Sequence, residues 1–155
     1  MRATRPPTAV SLGRVQRFAS VVLVDPRGWV LLQERDERPA IDPEKWGFVG
    51  GHLDPGEEFL AGAYRELAEE TGLRLDDGLE LFGQFTVHHD HADSDDEFQL
   101  FVMRTDLTDG DVECNEGRQI VFVDPGRVSE LDLTAAARVA LDAFLRSETY
   151  RTMTA

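Results

Sequence analysis

The stretch Gly51-His52-Leu53-Asp54-Pro55-Gly56-Glu57, continued by Arg65-Glu66-Leu67-Ala68-Glu69-Glu70-Thr71-Gly72-Leu73, decides how this chain is read. It opens as a glycine-rich turn, becomes an acidic helix from about Glu57 to Thr71, and stops at Gly72, which suits the left-handed residue that closes many helices. At 3.6 residues per turn, Glu66, Glu69 and Glu70 share one arc. Leu60, Ala63, Tyr64, Leu67 and Thr71 form another, the expected core stripe. Like charges on one arc repel by about 1 kcal/mol per pair at 4 Å in water, and several-fold more where solvent is thin. A fold gains nothing from that arrangement. A hard cation such as Mg2+ gains a great deal, because it takes carboxylate oxygens and shares its other positions with water and phosphate.

The spacing resembles the Nudix box, G-x5-E-x7-R-E-U-x-E-E-x-G-U, with U a bulky aliphatic residue. Gly51, Glu57, Arg65, Glu66, Leu67, Glu69, Glu70, Gly72 and Leu73 fill every specified position. The bland alternative is a solvated acidic helix that happens to fit the pattern. The resemblance implies an α/β fold, an α/β/α sandwich with a mixed β-sheet, in which the box forms a loop, a helix and a loop. It also implies Mg2+-dependent hydrolysis, with Mn2+ as a substitute, of the phosphoanhydride joining a nucleoside diphosphate to another group, such as a (d)NTP, a nucleotide sugar or ADP-ribose.

Size and charge narrow the remaining choices. The 155 residues suit one domain, here 17–155, preceded by an arm over 1–16 rich in arginine and proline. A net charge of −14 disfavours duplex nucleic acid and anionic membrane as partners, since both reward basic patches. Small phosphorylated molecules remain open where a metal mediates. Cys114 is the single cysteine, so no internal disulfide can form and a reducing compartment, the cytoplasm, is expected. The apolar run Val21 to Val24 is too short to span a bilayer.

Outward from the box, Phe18–Val24 and Trp29–Gln33 read as a hairpin about Asp25-Pro26-Arg27-Gly28. Trp46–Val49 reads as a short strand, and Leu79–His88, Phe98–Arg104 and Gln119–Val123 as three more. The run His88–Asp96 reads as a long acidic connection. Leu133–Leu145 is an amphipathic helix with Ala136, Val139, Ala140, Ala143 and Phe144 expected inward. Strands around one central helix, with a helix at the end, point to the same sandwich.

The resemblance assigns metal binding to Glu66, Glu69 and Glu70, with the carbonyl of Gly50 as a further ligand. It pairs Arg65 with Glu57 and so counts both, with Glu66 and Glu69, among the catalytic candidates. Arg65 is read as orienting carboxylates, and Glu57 as standing behind the ligands, with a direct catalytic role or a first-turn acid complementing the helix dipole as its alternatives. An acidic residue just before a late strand reaches the metal in some members; Glu116 is the candidate here, with Glu97 behind it. Glu66, Glu69, Glu97 and Glu116 all stay open as the general base. A basic residue at the end of the second strand contacts substrate phosphate in several members, which points to Arg35, and after it Lys45 and Arg38; guanidinium geometry suits phosphate. His88, His89 and His91, with Asp90, Asp93, Asp95 and Asp96, invite a second metal or substrate role or a lid, although their spacing fits no closed zinc pattern. Trp29, Trp46, Phe48 and Phe82 could stack a base, although aromatics on strands are more often core.

Two features depart from the family pattern. Val49 stands where many members have proline, and Leu131-Asp132-Leu133-Thr134 lacks the asparagine with which MutT-type enzymes read oxidised guanine. Two other functions compete. A non-catalytic nucleotide-sensing module predicts a damaged box, which this is not. A diphosphate-using isomerase needs a cysteine or an acid in the site, and Cys114 lies far along the chain from the box. Homodimers, common in the family, remain possible.

Overall fold

Strand β1 (Val15–Val24) is the axis of the molecule, whose computed structural model describes residues 15–89 and 94–155. It pairs in parallel with β6 (Ser94–Arg104), from Val15 opposite Asp95 to Val24 opposite Arg104. On its other side it runs antiparallel to β4 (Val49–His52) and meets β2 (Val30–Glu34) at Val24 and Val30. β5 (Glu80–His89) lies outside β6, while β3 (Trp46–Gly47) and β7 (Gln119–Val123) pair with β2. The described residues thus form one mixed sheet of seven strands.

Alternation along β1 explains the layers. Ala19, Val21 and Leu23 face one side, where they pack with Leu31, Val49, Phe101 and Phe122 against Ala63 and Leu67 of α1 (Phe59–Thr71). Val22 and Val24 face the other, where Phe98, Leu100 and Val102 meet Ala137, Ala140, Leu141 and Phe144 of α2 (Ala135–Leu145). A short terminal helix, α3 (Glu148–Thr154), adds Tyr150 and Met153 to that second core. A strand buried on both faces reads as a continuous apolar run, which is why Val21–Val24 shows no alternation in sequence. The architecture is the expected α/β/α sandwich. Among the described residues no helix is long and apolar enough to cross a membrane.

Several expectations change in detail. β1 begins at Val15, earlier than Phe18, and residues 1–14 lie outside the described residues. The acidic run His88–Asp96 is not one long connection: β5 and β6 extend into it, with His88 opposite Asp95 and His89 opposite Ser94. His88 Nδ1 lies 2.6 Å from Asp95 Oδ1 and His89 Nε2 lies 2.8 Å from Asp96 Oδ2. Polar residues that pair across strands need no loop to hold them. Asp90, His91 and Asp93 fall outside the described residues.

Helix α1 starts at Phe59 and stops where expected, Gly72 having φ 76°. Ala63, Leu67 and Thr71 are buried, but Leu60 is 45% exposed and is not part of the core. In α2 the inward face is Ala137, Ala140, Leu141 and Phe144, while Val139 is 50% exposed. The Thr134 side chain accepts from Ala137 N, so the helix begins two residues later than Leu133. The expected inward face thus holds at Ala140 and Phe144 and is wrong at Val139, because alanines on all sides of the helix give its phase little apolar contrast.

Candidate functional site

The acidic arc of α1 runs from solvent into the protein. Glu69 has a side chain 59% exposed, Glu66 only 13%, and Glu70 as a residue is 4% exposed. Glu70 was expected to lie off the core face; instead it sits under β4, where Gly50 N donates to its Oε1 at 3.2 Å. Glycine is required there. Gly50 has φ +147°, and a Cβ would lie 2.0 Å from the carbonyl oxygen of Ala19. A Cβ on neighbouring Gly51 would lie 2.5 Å from Glu66 Oε1, so Gly50 lets β4 approach the β1 backbone and Gly51 leaves room for the Glu66 carboxylate.

Burial pushes Glu70 up to about 10, and the adjacent Glu116 and Glu66 carboxylates push it the same way. Glu70 and Glu116 share a hydrogen bond although 46 positions separate Glu70 from Glu116 in the chain. The structure therefore brings Glu116 to the box, and it does not bring Glu97, which pairs with Arg17 at 3.2 Å.

Arg65 organises the rest of the arc. Its Nε donates to Glu57 Oε2 at 2.8 Å and its Nη2 to Glu57 Oε1 at 2.9 Å. Nη1 donates to Glu66 Oε2 at 2.9 Å and to Glu69 Oε1 at 3.2 Å, and Nη2 also reaches the His52 carbonyl at 3.0 Å. These bonds, with one from Asp54 N, hold Glu57 down at about 2, and Glu57 in turn holds the guanidinium well above its ordinary value.

Glu66, Glu70 and Glu116 line one end of a cleft of about 1320 Å3, together with Gly50 and Gly51. Of the open general-base candidates, Glu66 and Glu116 lie on that cleft; Glu69 and Glu97 are not on its lining. Three carboxylates, of which Glu70 is buried, make a set of hard oxygen donors that fits Mg2+ or Mn2+. Among the described residues no three acidic, histidine or cysteine groups close on a common point, and the Arg65 guanidinium bonds Glu57, Glu66 and Glu69. Binding a cation would draw Glu66 across toward Glu70 and Glu116.

The cleft continues over the sheet. Phe18 and Ser20 of β1, Gln33 of β2 and Phe48 form its floor, and His89, Ser94 and Asp96 its far end. Ser20 lies opposite Gly50 and Gln16 opposite Asp96, four residues apart on β1, which spans about 13 Å. Of the four aromatics singled out in the sequence only Phe48 lines the cleft; Phe82 packs on Phe144, Trp29 lies under Arg27, and Trp46 packs against the core of the α2 face. Phe18, stacked on Phe98 at 4.9 Å, was missed.

Arg35 reaches the cleft, with two donors committed to the Asp42 and Ile41 carbonyls at 3.1 and 3.0 Å. Lys45 turns away to Asp132 at 3.4 Å. Arg38 lines the cleft, and so does Cys114, whose Sγ contacts the carbonyls of Glu116 and Gly117. Distance along the chain is thus no argument against Cys114. Gln33 and Asn115, neither expected, hold the Glu116 loop. A lone amide ending the apolar run Val30-Leu31-Leu32 was the available signal for Gln33.

A family model for the NUDIX domain matches residues 14–145. The chain belongs to the Nudix family. Over 59 residues it is 44% identical to the m7GpppN-mRNA hydrolase NUDT17 of Bos taurus, a match covering 38% of this chain and 20% of that protein. It thus spans about a fifth of that relative. The crystal structure of a MutT protein from Methanosarcina mazei Go1 matches with a TM-score of 0.73 over 85% of this chain and 94% of that one, at 23% identity. The NUDIX domain of Shewanella oneidensis NrtR, in complex with ADP ribose, matches at 0.71 over 92% and 93%, at 17% identity. At such identities the likeness is one of fold, and this Nudix chain's chemistry rests on its own side chains.

Proposed function

We propose that the chain is a divalent-cation-dependent hydrolase that cleaves the phosphoanhydride of a nucleoside diphosphate linked to a second group. The observation that carries this reading is that Glu66, Glu70 and Glu116 line one cleft, with Glu70 bonded to Glu116. In such a reaction water attacks phosphorus, a P–O bond breaks, and negative charge builds on the departing oxygen. A Mg2+ ion held by Glu66, Glu70, Glu116 and the Gly50 carbonyl would neutralise phosphate oxygens and acidify water. Arg65 orients Glu57, Glu66 and Glu69. Glu66 or Glu116 takes the proton of the attacking water. Arg35 offers its remaining Nη1 to a phosphate oxygen. The diphosphate lies over the carboxylates, and the nucleoside extends along β1 toward Ser94 and Asp96, a path of about 13 Å.

ADP-ribose, bound by the Shewanella domain, and capped nucleotides, suggested by the bovine relative's name, join (d)NTPs and nucleotide sugars as substrates to test. The experiment is a phosphate-release screen of this panel with Mg2+, coupled to pyrophosphatase and phosphatase, with Glu70→Gln as the blank. A substrate turned over by the wild type alone fixes the reaction and the second group. Silence across the panel with Mn2+ binding intact overturns hydrolysis in favour of nucleotide binding without turnover.

A further inference from the structure

We propose that residues 113–116 form a clasp that sets the Glu116 carboxylate beside Glu70, with Asn115 as the positioning residue; this rests on the cation site proposed above. The last carbonyls of any α-helix lack partners inside the helix. In α1 the chain reverses at Gly72, whose N–H satisfies only the Ala68 carbonyl, at 2.9 Å. The next three carbonyls are met by one distant segment. Asn115 Nδ2 donates to Glu69 O at 3.0 Å, Asn115 N to Glu70 O at 2.9 Å, and Glu113 N to Thr71 O at 2.9 Å. The carbonyls so gripped include that of Glu70, one of the acids assigned to the cation, so the loop is indexed to the acidic end of the helix.

The opposite edge of the segment is fastened to the sheet. Gln33 Nε2, on a residue 2% exposed, donates to the Glu116 carbonyl at 2.9 Å, and Arg118 N donates to Glu34 O at 2.8 Å. Glu116 is therefore held by the helix on one side and by β2 on the other. Its carboxylate is the part left to meet Glu70. Capping α1 alone would need the amides of Glu113 and Asn115 but not the tie to Gln33. The two fastenings around one acid are what a preorganised ligand requires, and loss of groups that orient a metal ligand typically weakens metal affinity 10–100-fold.

The test is Mn2+ binding to the full chain, read by electron paramagnetic resonance, with unfolding temperatures in EDTA recorded for every variant. Asn115→Ala is expected to weaken Mn2+ binding by about tenfold, and the double variant with Glu116→Gln to bind no more weakly than Glu116→Gln alone. Gln33→Met, which removes the other fastening, is expected to behave in the same way and serves if Asn115→Ala does not fold. Unchanged Mn2+ affinity in the folded variants, or losses that add to that of Glu116→Gln, would overturn the clasp. Normal affinity in Glu116→Gln beside weakened affinity in Glu70→Gln overturns the clasp alone and leaves the cation site standing. Normal affinity in all three carboxylate variants, Glu66→Gln included, overturns the site and the clasp together.

Discussion

Arg65 and Glu57, a helical arginine and an acid ahead of the same helix, face each other through two parallel hydrogen bonds of 2.8 and 2.9 Å. The fork that makes them also reaches Glu66, Glu69 and the His52 carbonyl. Lysine would keep the charge but not the fork. Arg65→Lys is therefore expected to fold and to lose about 10–100-fold in Mn2+ affinity, the usual scale for groups behind metal ligands. Titration of Mn2+ against both proteins checks this, and equal affinities would contradict it.

Stability should depend on pH in two opposed ways. Glu57, held at about 2 against an ordinary 4.5, stabilises the fold above 4.5 and loses that contribution as pH falls through this window. Glu70, raised from 4.5 to about 10, acts in reverse. Above 4.5 the unfolded chain releases this proton while the folded one keeps it, so stability falls as pH rises. In EDTA, the unfolding temperature of the wild type should therefore decline between about pH 5 and pH 9 more than that of Glu70→Gln. Millimolar Mg2+ should offset the decline by taking the proton's place. Parallel curves for the two proteins would remove Glu70 as the cause.

Gly51→Ala separates fold from site. The new methyl would sit 2.5 Å from the movable end of Glu66, a clash that a rotated side chain relieves. The unfolding temperature in EDTA should barely move, while Mn2+ binding weakens about tenfold or more because Glu66 is displaced. Preserved affinity would show that Glu66 is not a ligand.

Within α1, burial decides cost. Leu67→Ala, at a fully buried position, should destabilise by about 2–5 kcal/mol. Leu60→Ala, on the same expected stripe but 45% exposed, should cost about 0.5 kcal/mol or less. Chemical denaturation of the two variants tests the corrected helix face.

What the sequence made legible was local. The box fixed a helix, its glycine stop and the identity of its acids, because 3.6-residue periodicity and turn chemistry act over a few positions. It did not show which acid is buried, since the burial of Glu70 comes from β4 crossing above it. Glu116 could be named only through a resemblance; its contact with Glu70 depends on pairings with β2 and α1 that leave no periodic trace. His88 and Asp95 read as loop because they are polar, yet they pair across two strands. The phase of α2 failed at Val139 for a plainer reason: in Ala135-Ala136-Ala137 a small residue faces every direction.

The pairing of β1 with β6 has a consequence for how the chain folds. Val15 meets Asp95, and the same offset of 80 residues runs the length of the strand. β1 therefore waits for a partner that lies 80 residues further along the chain. Loop-closure entropy must be overcome before that parallel ladder returns any free energy, which slows folding. On the ribosome, β1, β2, β4 and α1 emerge first, with the apolar edge of Val21–Val24 open until β6 arrives. That interval is when the chain is most exposed to association with other chains.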